Sequence, residues 1–190
     1  YFPFDPKGYK LVLLNSQVKH ELASSAYNDR RKSCENVVAA MKKHWPNVDS
    51  LRDATYDMLD EVRSEVSEED ALRAKYVIGE KYRVLEVCVA LEEGDYEEVG
   101  KKMYETHYGL SKEYEVSCPE LDFLNDVAHS CGVTGSRIMG GGFGGCTINL
   151  VSDDLYANFI DTAKKAYKEK FGKEPIVIDV VIGDGSRKLC

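Results

Sequence analysis

The sequence predicts an α+β domain, a mostly antiparallel four-stranded sheet backed by helices. Three observations predict it. Short apolar, β-branched runs stand near both ends, at Leu11–Asn15 and Ile176–Val181. Two more strand-like runs, Ser136–Ile138 and Cys146–Leu150, flank a cluster in which five of the six residues from 140 to 145 are glycine. Between the first run and the second, apolar residues recur at helical spacing, punctuated by cap residues.

Taken in order, Phe2 and Phe4 before Pro6-Lys7-Gly8, with Tyr9–Ser16 after it, read as two strands joined by a tight turn. A helix follows, with Ser24 or Ser25 as N-cap and an apolar face through Tyr27, Cys34, Val37, Val38 and Met41. It ends before Trp45-Pro46, because the residue preceding a proline avoids the α region. A short helix is expected near Thr55–Val62. Ser67-Glu68-Glu69-Asp70 then resembles a capping box and opens the longest helix, which stops at Gly94. Asp95 caps the next helix, through Leu110. Ser117-Cys118-Pro119-Glu120 combines a serine N-cap, a first-turn proline and an early glutamate, and that helix closes at Gly132. After the glycine cluster, Asp153–Phe171 reads as an amphipathic helix with Leu155, Phe159, Ile160, Ala163, Ala166 and Tyr167 inward. Ile176–Ile182 is β-branched enough to predict a central strand. No internal repeat or low-complexity linker interrupts the pattern, so residues 1–190 read as one domain.

Composition excludes several classes. The net charge is −8, and the only basic cluster, Arg30-Arg31-Lys32, is outweighed by acidic runs, which argues against nucleic acid as a partner. No window approaches the ~20 consecutive apolar residues of a membrane span. The six cysteines, at 34, 88, 118, 131, 146 and 190, include no C-x-x-C pair, and the four histidines share no ligand spacing. No metal site is predicted, and the cysteines read as buried thiols of a reducing, cytoplasmic compartment.

Two constellations remain. Glycine costs folding entropy, so a cluster of it between strands implies a backbone need. Either the loop adopts positive φ, or another body approaches its backbone closely; exposed amides can then form a concavity for an anion, and the alternative is a tight glycine-rich turn with no ligand. It matches neither a P-loop nor a dinucleotide fingerprint. The second constellation, Asn15 to Arg31, gathers polar groups after a strand and at a helix start, where an anion is favoured and Lys19 adds a point charge. The alternative is a capped helix with a solvated beginning. His20 with Ser24 or Ser25 lacks the oriented acid a hydrolase pair needs.

Together these segments carry a resemblance. Val18 to Arg31, VKHELASSAYNDRR, resembles the segment that marks galactokinases within the family of galactokinase, homoserine kinase, mevalonate kinase and phosphomevalonate kinase. Ser136 to Cys146 resembles the glycine-rich third motif of that family, and RAKYVIGE (73–80), Ala90–Asp95 and SCPELD (117–122) match in order. The resemblance implies a ferredoxin-like C-terminal domain, one half of a two-domain kinase with its active site in the cleft. The other half would bring the phosphate loop, the catalytic aspartate and most contacts to ATP and Mg²⁺; the beginning at Tyr1 is expected to be a cut, and no catalytic residue is expected in this chain.

The implied reaction is ATP-dependent phosphorylation of galactose at the anomeric hydroxyl, with this chain alone inactive and prone to self-association. By position, Tyr27 matches a galactose-contacting tyrosine and Lys19 a basic position near the nucleotide phosphates. Gly140, Gly141, Gly142, Gly144 and Gly145 match the loop beside those phosphates. Met139 departs from the threonine often found before the glycines. The alternatives are a non-catalytic galactokinase-like sensor of sugar and ATP that acts through protein contacts, and an independent interaction module.

Overall fold

The computed structural model of the protein describes residues 2, 4–19, 23–183 and 185. Strand β1 (Tyr9–Asn15) follows a turn in which Tyr9 N–H donates to the Pro6 carbonyl at 2.9 Å. Phe2 and Phe4 form no strand. Pro6 has no N–H to give to a ladder, and Phe4 packs edge-on against Tyr96, 5.7 Å between ring centres.

The helical stretch begins with α1 (Ala23–Lys42). The helix already includes Ser24 and Ser25, so neither is its N-cap; the capping position, like His20, lies outside the described residues. Next comes α2 (Tyr56–Glu61), whose first-turn amide at Met58 donates to the Thr55 hydroxyl. Helix α3 (Glu68–Glu93) is capped by Ser67 Oγ on Asp70 N–H and stopped by Gly94 at φ 70°. Asp95 caps α4 (Tyr96–Lys112) through Glu98 N–H. Helix α5 (Pro119–Ser130) departs from expectation, because Cys118 occupies the N-cap. The Ser117 hydroxyl, one position before that cap, instead donates to Asp122 at 2.5 Å, a charge-assisted bond.

Strands β2 (Gly135–Met139) and β3 (Cys146–Ser152) form a hairpin across the glycine cluster. Helix α6 (Tyr156–Phe171) starts later than Asp153, whose N–H is taken by the Gly8 carbonyl. Strand β4 (Ile176–Val180) completes the sheet. The order is β2-β3-β1-β4, and every pair is antiparallel. The four predicted strands are all present, but β4 is an edge and not a central strand. Its β-branched residues suit a half-buried pleat, which an edge offers as well as a centre does; Ile176 and Ile178 remain exposed.

The helices also divide more than expected. Helices α5 and α6 cover one sheet face, burying Val12, Leu14 and Val151 against Leu124, Phe159 and Tyr167. Helices α1, α2 and α3 bury one another in a separate core around Val37, Met41, Leu59 and Ile78. Helix α4 closes the β2 edge at near-contact distance. A Cβ on Gly100 would lie 2.1 Å from the Thr134 carbonyl oxygen, and one on Gly135 would lie 2.5 Å from Gly100 Cα. Side by side, those two glycines let helix and strand backbones touch. No helix among the described residues is long and apolar enough to cross a membrane.

Candidate functional site

Three separate stretches of chain meet at the glycine loop. From the β1–α1 linker, Ser16 donates both its N–H and its hydroxyl to the Gly145 carbonyl, each at 2.8 Å, and the Val18 carbonyl accepts from Gly145 N–H at 3.2 Å. From the α4–α5 connector, the Val116 carbonyl accepts from Phe143 N–H at 2.6 Å. From α1, Arg30 donates through Nε to the Tyr114 carbonyl at 3.0 Å and through Nη2 to the Glu115 carbonyl at 2.6 Å. The same guanidinium lies over the Phe143 ring, 5.6 Å from its centre. The two constellations singled out by sequence are thus brought together, by a third segment that carried no signal.

Backbone strain collects here. Among the described residues, the non-glycine positions with positive φ are Gln17 (59°) on the β1–α1 linker, Glu115 (53°) on the α4–α5 connector and Phe143 (60°) on the glycine loop itself. Such conformations persist only where surroundings over-determine them. Gln17 is fixed by its N–H on Asn15 Oδ1 and its side-chain amide on the Glu174 carbonyl. Glu115 is held from two helices, its carbonyl by Arg30 and its carboxylate by Arg73 Nη2 at 3.2 Å. Arg73, buried on α3, also reaches Ser33 of α1 and pairs with Glu69.

The loop itself has two sides. Gly142 and Gly144 are buried, at φ 80° and 138°. A Cβ on Gly142 would lie 2.1 Å from the Val116 carbonyl oxygen, and one on Gly144 2.6 Å from that of Val18. Around Gly140 and Gly141, both exposed, no atom stands within 4 Å of where a Cβ would be. Glycine is therefore demanded by packing on the inner side, while the outer side leaves backbone bare to whatever approaches.

Tyr27 is 59% exposed, which rules out the reading of it as a core residue of α1. It edges a groove of about 1190 Å³ between α1 and α3, whose walls include Arg31, Cys34, Tyr76, Val84 and Leu85. Burial pushes the Cys34 thiol upward and keeps it protonated, and Tyr76 is raised likewise by burial and by Glu80. Lys19 is exposed, immediately after the Val18 contact with the loop. Met139 ends β2 with its side chain partly in solvent.

Beyond the connector, Asp122 gathers hydroxyls from Ser117 at 2.5 Å and Ser111 at 2.9 Å, with His107 Nε2 at 3.2 Å. Burial alone would raise this carboxyl, but those hydrogen bonds outweigh it and hold the pKa at about 2. The cluster pins α5 to α4 one residue from Val116. Sequence reading missed Arg30, Arg73 and this connector as site elements. Glu115 at positive φ gave no cue, since glycine or asparagine usually marks such a turn.

Comparison with known proteins places this geometry. Residues 88–169 match the model described as GHMP kinases C terminal. The fold superposes on a galactokinase of Lactococcus lactis complexed with galactose with a TM-score of 0.91, at 29% identity, covering 98% of this chain and 48% of that one. Residues 88–169 carry a GHMP kinase C-terminal domain. Along nearly its whole length the chain is similar to galactokinases. It is 42% identical to that of Clostridium beijerinckii over 184 residues (96% of this chain, 47% of the relative). It is 41% identical to that of Homo sapiens over 187 residues (98% and 45%). A mevalonate kinase of L. major, in complex with R-mevalonate, shares the fold at 21% identity and a TM-score of 0.58. The chain spans about half the length of the curated relatives it matches.

Proposed function

We propose that the full-length protein is a galactokinase, transferring the terminal phosphoryl group of ATP to the anomeric hydroxyl of galactose, and that residues 1–190 form its C-terminal domain. The observation that carries this reading is the meeting of the Tyr27 helix and the glycine loop in one place. It occurs in a chain whose fold follows a galactose-bound galactokinase.

Phosphoryl transfer asks the protein mainly to position groups and stabilise charge. In this reading the other half of the protein supplies the phosphate loop, the catalytic aspartate and the main contacts to ATP and Mg²⁺. Among the described residues, no group of three or more His, Cys, Asp or Glu side chains is placed to hold a metal ion. The residues of this chain form one wall of the cleft. Tyr27 offers the sugar a flat apolar face for its C–H groups and a hydroxyl for its polar ones, which its exposure makes accessible. The bare outer backbone at Gly140 and Gly141 allows close approach to phosphate oxygens, with Lys19 adding positive charge nearby. Closure of this wall would exclude water from the reacting phosphate. The five described cysteines are free thiols, which fits a cytoplasmic enzyme. Exposed Val84, Leu85 and Val89 on α3 support self-association of the domain when it is alone.

The experiment is direct. The full-length protein, given ATP, Mg²⁺ and galactose, forms galactose 1-phosphate, and residues 1–190 alone form none; turnover by the domain alone would overturn the division of labour. Within the full-length enzyme, Tyr27→Phe weakens galactose binding by about 0.5–1.5 kcal/mol, read as a raised KM at an unchanged melting temperature. An unaltered KM and kcat would remove the hydroxyl from the site.

A further inference from the structure

Arg30 stands one helical turn after Tyr27, with its side chain only 12% exposed. Its fork spans two successive carbonyls, those of Tyr114 and Glu115, while its flat face lies over Phe143. Both Glu115 and Phe143 hold left-handed backbone that residues with a Cβ adopt reluctantly. They are linked to each other through Val116, whose carbonyl accepts from Phe143 N–H. A single side chain thus touches the connector on one side of Val116 and the ring of the residue that Val116 holds.

We propose that Arg30 is a positioning residue for the phosphoryl transfer, clamping the glycine-loop tip in register with the N-terminal part of α1, where Tyr27 stands. The inference rests on the galactokinase reading above for its reaction, but the clamp itself is a property of these contacts. Lysine cannot replace it. An ammonium group is a point donor, unable to bridge two carbonyls in a plane and stack on a ring together. A loop tip displaced by about 1 Å loses alignment with the reacting phosphate, and rate falls steeply with such misplacement. A helix-stabilising arginine with no role in the loop would instead alter stability and leave each folded molecule fully active.

The test uses the full-length enzyme with Arg30→Lys. The expected result is a kcat at least tenfold lower, a galactose KM within twofold of wild type, and a melting temperature shifted by no more than a few degrees. Amide hydrogen exchange at residues 141–145 rises about tenfold, while that of β3 is unchanged. Normal kcat with unchanged exchange would overturn the proposal, as would a loss of activity that tracks only the loss of folded protein. Phe143→Leu removes the stacked ring and leaves Arg30 its carbonyls; it moves exchange and kcat the same way by a smaller factor. Should Arg30→Lys not yield folded protein, Phe143→Leu decides, and unaltered exchange and kcat in it would sink the clamp. The exchange measurement makes no reference to sugar. A wild-type protein that ignores galactose would therefore fail the galactokinase reading and still leave the clamp to be judged on its own.

Discussion

The inner and outer glycines of the loop differ in burial and in what their backbone meets. Gly142 and Gly144 are buried against the carbonyls of Val116 and Val18, with no room for a Cβ. Gly140 and Gly141 are exposed and meet nothing. The same residue type therefore answers two separate demands within six positions. The inner pair lets three distant stretches of backbone come into contact. The outer pair keeps a stretch of main chain uncovered. A glycine cluster read only from sequence merges these roles, although substitutions separate them.

The sharpest separation comes from Gly142→Ala. Its Cβ meets a backbone oxygen at 2.1 Å and must also hold φ 80°, so the cost is on the order of 3 kcal/mol or more, from overpacking together with left-handed strain. Denaturant unfolding of the full-length protein checks it, and a stability within 1 kcal/mol of wild type, to order of magnitude, would break the comparison.

A smaller effect is expected at the support behind the inner pair. Asp122→Asn removes a charged acceptor from three partners and costs about 1.5–3 kcal/mol near neutral pH. The sign of its pH dependence follows from a folded pKa of about 2 against an ordinary value of 3.8. The carboxylate contributes fully above pH 4 or so, and the contribution is lost as pH falls toward 2. The gap between wild type and variant should therefore narrow across that interval in an acid titration of stability. A gap that stays constant would show that the charge is not what pins the connector.

The smallest change is expected on the outer side. Gly141 does not sit at positive φ and faces open space, so Gly141→Ala leaves stability within about 0.5 kcal/mol. Under the proposed galactokinase reading, a loss of turnover in that variant reports on the close approach of substrate to bare backbone, not on folding. Equal destabilisation by Gly141→Ala and Gly142→Ala would erase the distinction between the two sides.

Much of this was legible beforehand. Ser67, Asp95 and Gly94 declared the boundaries of α3 and α4 because a cap acts locally: Ser67 and Asp95 accept from an amide three residues on, and Gly94 donates back to the Ala90 and Leu91 carbonyls. The four strands were visible for a similar reason, since period-two patterning is written in consecutive residues. Position within the sheet was not: Ile176–Val180 reads alike at a centre or an edge, and only pairing with β1 alone decides it. Ser117 misled because the helix starts one residue later than its hydroxyl would cap, and that hydroxyl donates to Asp122. The site was half legible. The family-marking run and the glycine cluster stood out, but Arg30 looked like one cation in a solvated trio. The connector at Tyr114–Val116 had no periodicity or turn residue to announce it.

The bonds from Ser16 to Gly145 join residues 129 positions apart, and their formation carries a kinetic cost. Closing so long a stretch of chain is entropically slow, and β1 must pair with β3 in register before the linker can reach the loop. The hairpin that carries the glycine loop is local, with Met139 paired to Cys146, but the loop's inner contacts are not. Its inner contacts wait on the sheet, and the sheet waits on the two ends of the sequence finding each other. A spectroscopic label at the loop tip would sense its final environment only in molecules whose long-range pairing is complete, which makes this corner of the protein a natural reporter for the last events of folding.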